Sequence, residues 1–207
     1  VAAVDPGFLA RAEAFLAEWT LSDALSEAAH AGPGHWHPTG FVVFKTAIKF
    51  GDMPVRVHCW PAEDRRGDPD HPPLHTHMWP LASKVVLGTY VEATLQLEPS
   101  EAGPIRKYMV TYESEDQSTI SPTAGRFEVI RYEVEHYRVG RTHHLAAGAW
   151  HQTLIPDGSP VVTIMVTGAS HLDKPRIAGP AELQEFTRRR VPVDPDFLRS
   201  EFGASDK

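Results

Sequence analysis

Cysteine is almost absent, Cys59 being the one thiol in 207 residues. An internal disulfide is excluded and no oxidising compartment is required, so a cytoplasmic location is expected. No apolar run comes near the roughly 18 residues that a membrane-spanning helix needs, and no membrane partner is expected. Basic residues are in the minority, 20 Lys and Arg against 27 Asp and Glu, for a net charge of -7. A nucleic-acid partner, which wants a basic face, is not expected either. The first apolar stretch carries Asp5, Glu13 and Glu18, unlike a secretory signal. Histidine, by contrast, is plentiful, with twelve copies.

The chain is long enough for one domain with terminal additions. Its first 30 residues read as helix, with Phe8, Ala12, Phe15, Leu16 and Trp19 at helical spacing, then Leu21, Leu25 and Ala28 after an N-cap expected at Ser22 or Asp23. From Phe41 the pattern turns to short β-rich runs, at 41–44, 55–60, 84–87, 90–95, 127–132, 137–139 and 161–166. Gly and Pro turns separate them. One further strand is expected at 106–113 in the polar stretch 98–125. Past Pro180 the spacing reads as helix through Arg190, with a last short helix near 195–202. Many short strands with helices only at the ends indicate an all-β sandwich or barrel. The expected division is a helical segment over 1–40, a barrel over 41–175 and a helical segment over 176–207.

Three histidines stand out by position. His75 and His77 lie two apart in a segment that reads as extended, so their imidazoles leave the chain on one side. His151 opens another strand 74 residues later, after Gly148-Ala149-Trp150. Three neutral imidazoles would hold a divalent ion and leave coordination positions open, as catalytic sites do.

The spacing around these residues resembles the two motifs of the cupin superfamily, small jelly-roll barrels with a metal at the mouth. The first motif reads H-x-H, Glu, six residues, Gly; here it runs from His75 and His77 to Gly88. The second reads Gly, five residues, P-x-G, two residues, His; here Gly140, Ala146-Ala147-Gly148 and His151 keep the register, with Ala146 in place of the proline. The resemblance spans residues 41 to 169. Where many cupins carry a fourth ligand, Glu, this chain has Leu81. A three-histidine site resembles the thiol dioxygenase branch, as does Val57-His58-Cys59-Trp60 ahead of the H-x-H. The resemblance implies Fe(II), with Zn or Ni as alternatives, and a small amino-acid thiol such as cysteine oxidised by O₂. That branch's Ser-His-Tyr alternation on the late strand falls at Thr163, Met165 and Thr167. This departure implies a specialised biosynthetic oxidation of a cysteine-like thiol rather than simple sulfinate formation. The alternative is a metal-dependent cupin isomerase or lyase, or a small-molecule-binding cupin, working without O₂. Cupins also pair through sheet edges or terminal helices, so a homodimer is expected.

Around the expected metal, Arg56, His58 and Trp60 share one face of their strand and Val55, Val57 and Cys59 the other. The resemblance puts Trp60, and with it Arg56 and His58, in the lumen. A buried Arg56 needs a counter-ion, either a substrate carboxylate or an acidic residue at the rim. His58 is a candidate substrate contact, and Trp79, Leu81, Ser83 and Val85 are expected to point inward. Lys45, Tyr90, Tyr132 and Tyr137 are further pocket candidates. Of His143 and His144, at most one can face the site, and both are expected at the surface or behind the ligands. His35, His37 and His71 are expected to be ordinary, and Arg188-Arg189-Arg190 to be a solvated helix end.

Overall fold

The structure is a computed structural model and describes residues 4–203. Two helices come first, α1 (Pro6–Ala17) and α2 (Leu21–His30). Fifteen strands follow: β1 (Gly34–Trp36), β2 (Val42–Phe50), β3 (Met53–Trp60), β4 (Leu74–His75), β5 (Leu81–Leu87), β6 (Thr89–Pro99), β7 (Ile105–Tyr112), β8 (Gln117–Pro122), β9 (Phe127–Arg138), β10 (Thr142–Leu145), β11 (Trp150–Leu154), β12 (Val161–Thr167), β13 (Arg176–Pro180), β14 (Phe186–Arg189) and β15 (Pro192–Val193). A short helix, α3 (Asp196–Phe202), comes last. The strands form two antiparallel sheets, ordered β10-β5-β12-β3-β2-β1-β15 and β13-β4-β11-β6-β9-β7-β8-β14. In the second sheet β13 also pairs with β7.

The helices cover the outer face of the first sheet. Asp5 caps α1 by accepting from the backbone N–H of Gly7 and Phe8, both at 3.1 Å, and Pro6 begins the helix, where its missing N–H costs nothing. Thr20, not Ser22 or Asp23, caps α2: Asp23 N–H donates to Thr20 Oγ1 at 3.2 Å and Thr20 N–H to Asp23 Oδ2 at 2.9 Å. This reciprocal box satisfies two helix-end donors at once. The Lys84 ammonium, reaching out from β5, donates to the carbonyls of Leu16, Ala17 and Trp19, each at 2.9 Å. It thereby pins the C-terminal end of α1 to the sheet.

Phe8, Ala12, Leu16, Ala24, Leu25, Ala28 and Leu198 pack on Val55, Val57, Cys59, Val162, Ile164 and Val166. A fully buried side chain such as Leu16 is worth about 1.5–3 kcal/mol. Because the first sheet has helices outside and the sandwich interior inside, β12 is buried at all seven positions. On β3 the alternation holds: Val55, Val57 and Cys59 face the helices, and Arg56, His58 and Trp60 line the interior.

Some segments differ from the sequence reading. Residues 186–189, expected as helix, pair with β8 from Phe186↔Ile120 to Arg189↔Gln117. Ladder hydrogen bonds to a waiting edge outweigh a weak helical spacing, and Pro192 stops any helix just beyond. Among the described residues, the segment from 176 onward therefore carries strands β13, β14 and β15 and is helical only at Asp196–Phe202; residues 204–207 of the expected helical segment lie outside the described residues. At the other end Gly34–Trp36 pairs with β2 and belongs to the first sheet. β8 went unread because its Ser and Thr residues give it no apolar run, and 127–138 is one strand rather than two.

Candidate metal centre

His75 occupies β4, where it lies directly across from His151 on β11. Between His75 and His77, Thr76 is pinned to β13: its N–H donates to Arg176 O at 2.8 Å and its Oγ1 accepts from Arg176 N–H at 3.1 Å. The two flanking imidazoles line the cavity. The carbonyl of His77 accepts from Gly148 N–H at 2.9 Å. Gly148 has φ of +75°, a conformation that glycine adopts without strain, and its turn delivers His151 to the same place. Ring centroids stand 4.3 Å apart for His75 and His151, 4.9 Å for His77 and His151, and 5.0 Å for His75 and His77. One ring nitrogen from each lies within 4.8 Å of the others.

The protons are arranged for ligation. His75 donates through Nδ1 to Pro73 O at 2.8 Å. The buried Nδ1 of His151 donates to Glu92 Oε1, and Thr153 Oγ1 donates to Glu92 Oε2 at 2.9 Å. A proton fixed on Nδ1 leaves the Nε2 lone pair free for a metal, and a carboxylate behind a ligand fixes its tautomer and raises its basicity. His151 Nε2 is buried and has no hydrogen-bond partner, so the donor set fits a divalent cation. Burial, with the neighbouring imidazoles, pushes His75 down to about 3 and His77 well below its usual range. Burial alone takes His151 to about 3. All three are neutral at pH 7, as ligands must be.

Glu92 was missed in the sequence, although a carboxylate within the β-rich run 90–95 needs a buried partner or a place at the surface. It is buried at 3% exposure, and burial raises its carboxyl above the usual range. Leu81 packs with Leu145 and Met165 and makes an apolar wall.

A cavity of about 310 Å³ opens on the three histidines. Arg56 lines it, with its guanidinium 4.8 Å from the centre of the Trp79 ring, which in turn stacks on His77 at 4.6 Å. His58 lines it too, held down to about 3 by burial and by Arg56. Trp60 packs against Phe41 at 4.4 Å. Tyr90 faces in and stacks on Tyr137 at 5.4 Å, whereas Tyr132 is 51% exposed and outside. Of the adjacent pair, His143 is buried and lines the cavity, while His144 sits on the opposite side, 3.4 Å from Glu13. His35, His37 and His71, expected to be ordinary, also line the cavity. The His37 ring is 5.9 Å from that of His75. His35 lies on the unread strand β1, and His37 and His71 lie in loops, where parity assigns no face. Arg188 is no solvated helix end: it is half-buried on β14 and pairs with Asp68 at 2.5 Å.

No protein-family model matches the chain, and no curated protein matches it. Among solved structures, a crystal structure of Drosophila melanogaster CENP-C bound to CAL1 is similar at 11% identity, over 65% of this chain and 78% of that one, with a TM-score of 0.34. A likeness at that level assigns neither fold nor function.

Proposed function

We propose that this protein is a mononuclear non-haem Fe(II) oxygenase of the cupin type, related to the thiol dioxygenases and acting on a small amino-acid thiol such as cysteine. The observation that carries the proposal is three neutral imidazoles converging at the wall of a cavity, one of them backed by a buried carboxylate. When bound, Fe(II) would supply Lewis acidity toward a thiol and a partner for O₂.

The chain's own residues would do the rest. Arg56, which has no ion pair among the described residues, would take a substrate carboxylate through two parallel hydrogen bonds. Leu81, Met165 and Trp60 would keep water from the reacting end. Thr163 lines the cavity, and its buried Oγ1 lacks a partner, so it can donate to a substrate heteroatom. With its protonation held near pH 3, His58 would serve as a hydrogen-bond partner rather than as a base. Met165 offers no proton at all, which favours an oxidation that rearranges the substrate over simple sulfinate formation.

The test is anaerobic reconstitution with Fe(II), then cysteine and O₂, with oxygen uptake and product masses recorded. Oxygen consumption with a product heavier by oxygen, or oxidatively rearranged, is expected. Silence over a panel of small thiols would overturn the substrate. Metal uptake without oxygen consumption would favour an O₂-independent isomerase or lyase at the same ligands.

A further inference from the structure

The end of the cavity away from Glu92 is lined by cations that make no ion pair among the described residues. Lys45 on β2 lies directly across from Arg56 on β3, an arrangement of like charges that a sheet normally avoids. Arg190 lines the same cavity. Its N–H donates to Asp116 O at 2.7 Å, its guanidinium to Glu115 O, and its charged end lies 5.4 Å from the Tyr112 ring centre. The groups feel one another: Arg56 and Arg190 both disfavour the charge on Lys45, and Arg190 disfavours that on Arg56.

Neighbouring Arg188 shows what a satisfied cation looks like here, since Asp68 sits on it. Lys45, Arg56 and Arg190 have no such pairing among the described residues, and Arg56 Nε is buried without any hydrogen-bond partner. Glu92 is the one carboxylate lining the cavity, and it is engaged by His151 and Thr153 at the other end. Glu115 is the acid whose field reaches Lys45, and Asp116 the one whose carboxylate feels Arg190, but neither forms an ion pair with these cations among the described residues. A single substrate carboxylate would occupy the Arg56 fork and leave two cations facing each other.

We infer that the natural ligand carries a dianionic end, either two carboxylates or one doubly charged oxyanion such as a phosphate or phosphonate, held jointly by Lys45, Arg56 and Arg190. The inference rests on the proposed function for which end of the ligand reacts, but the anion subsite needs no metal. Among small thiols it therefore selects those with a second acidic group over cysteine itself.

The experiment is isothermal titration of the metal-free protein with acetate, malonate and inorganic phosphate. Malonate or phosphate should bind at least tenfold more tightly than acetate. The tighter of the two identifies the geometry of the dianion. Arg56→Met and Lys45→Met should each reduce that affinity about tenfold or more. Lys45 is exposed, so its substitution leaves the fold intact. Equal affinity for acetate and both dianions, or dianion binding untouched by Lys45→Met, would overturn the inference. Cobalt(II) loading, read by absorbance on the same samples, reports the metal site separately, so the two proposals fail independently.

Discussion

The two ends of the cavity face the same problem, buried nitrogen bases, and solve it in opposite ways. At the Glu92 end, imidazoles give up their protons, because desolvation penalises the charged form. At the Lys45 end, guanidinium groups cannot deprotonate, so Arg56 stays charged. The contrast shows where each kind of ligand belongs. Neutral lone pairs converge at one end and wait for a cation; at the other, fixed positive charge waits for an anion. The cavity is thus polarised along its length, and a substrate with an acidic end and a metal-seeking end has one orientation in it.

The largest break in that contrast is removal of a metal ligand. His151→Ala should reduce metal content after Co(II) or Fe(II) loading to background, with anion titration at the Arg56 end unchanged. Plasma emission spectrometry on dialysed protein reads the first, and calorimetry the second. Loss of both together would mean that the ends are not separable. Next in size is Glu92→Gln, which keeps the side chain's shape but withdraws the carboxylate charge behind His151. Metal affinity should fall about 10- to 100-fold, measured by competition with a chelator, while the folded state persists.

Much of this polarity was legible in the sequence, and the limits have physical reasons. Alternation put His75 and His77 on one side of the chain, and the resemblance to the two cupin motifs implied that His151 joins them. Alternation also put Arg56, His58 and Trp60 on one face of their strand, and all three line the cavity. Glu92, His37 and His143 were not found, for three different causes. Glu92 meets His151 only through cross-strand pairing of β6 with β11, a contact 59 residues apart in sequence. His37 turns on the unread strand β1 beside it. His143 needed the register of β10 against β5, where it lies across from inward-facing Ser83; parity allowed at most one of the pair inside and did not say which. Residues 186–189 show the same limit, because Phe186-Thr187-Arg188-Arg189 becomes strand only when the β8 edge is present.

A smaller effect comes from acid. His143 has its protonation pushed down to about 4 and His151 to about 3, below the usual 6.5 of the unfolded chain. Above pH 6.5 both states are neutral and nothing is lost. Below it the unfolded chain gains protons that the folded one refuses, so stability falls as pH drops toward 4. At pH 5.5 each such histidine should cost about 1.4 kcal/mol relative to pH 7.5. Urea unfolding of metal-free protein at the two pH values measures the sum, and His143→Gln should shrink it by about one histidine's share. The charge of Arg56 does not change over that range, so the cationic end keeps its charge in the acid that weakens the other end.

The smallest effect tests whether the contrast stops at the cavity wall. His144 is adjacent to His143 but lies across the sheet from it, 3.4 Å from Glu13 on α1. A pair this accessible contributes at most about 1 kcal/mol. His144→Ala should therefore lower stability by no more than that and leave both metal content and anion affinity unchanged. If it lowered metal content as His151→Ala does, the β10 register that turns His143 inward would be wrong, and the polarised cavity would have to be redrawn with its neighbour inside.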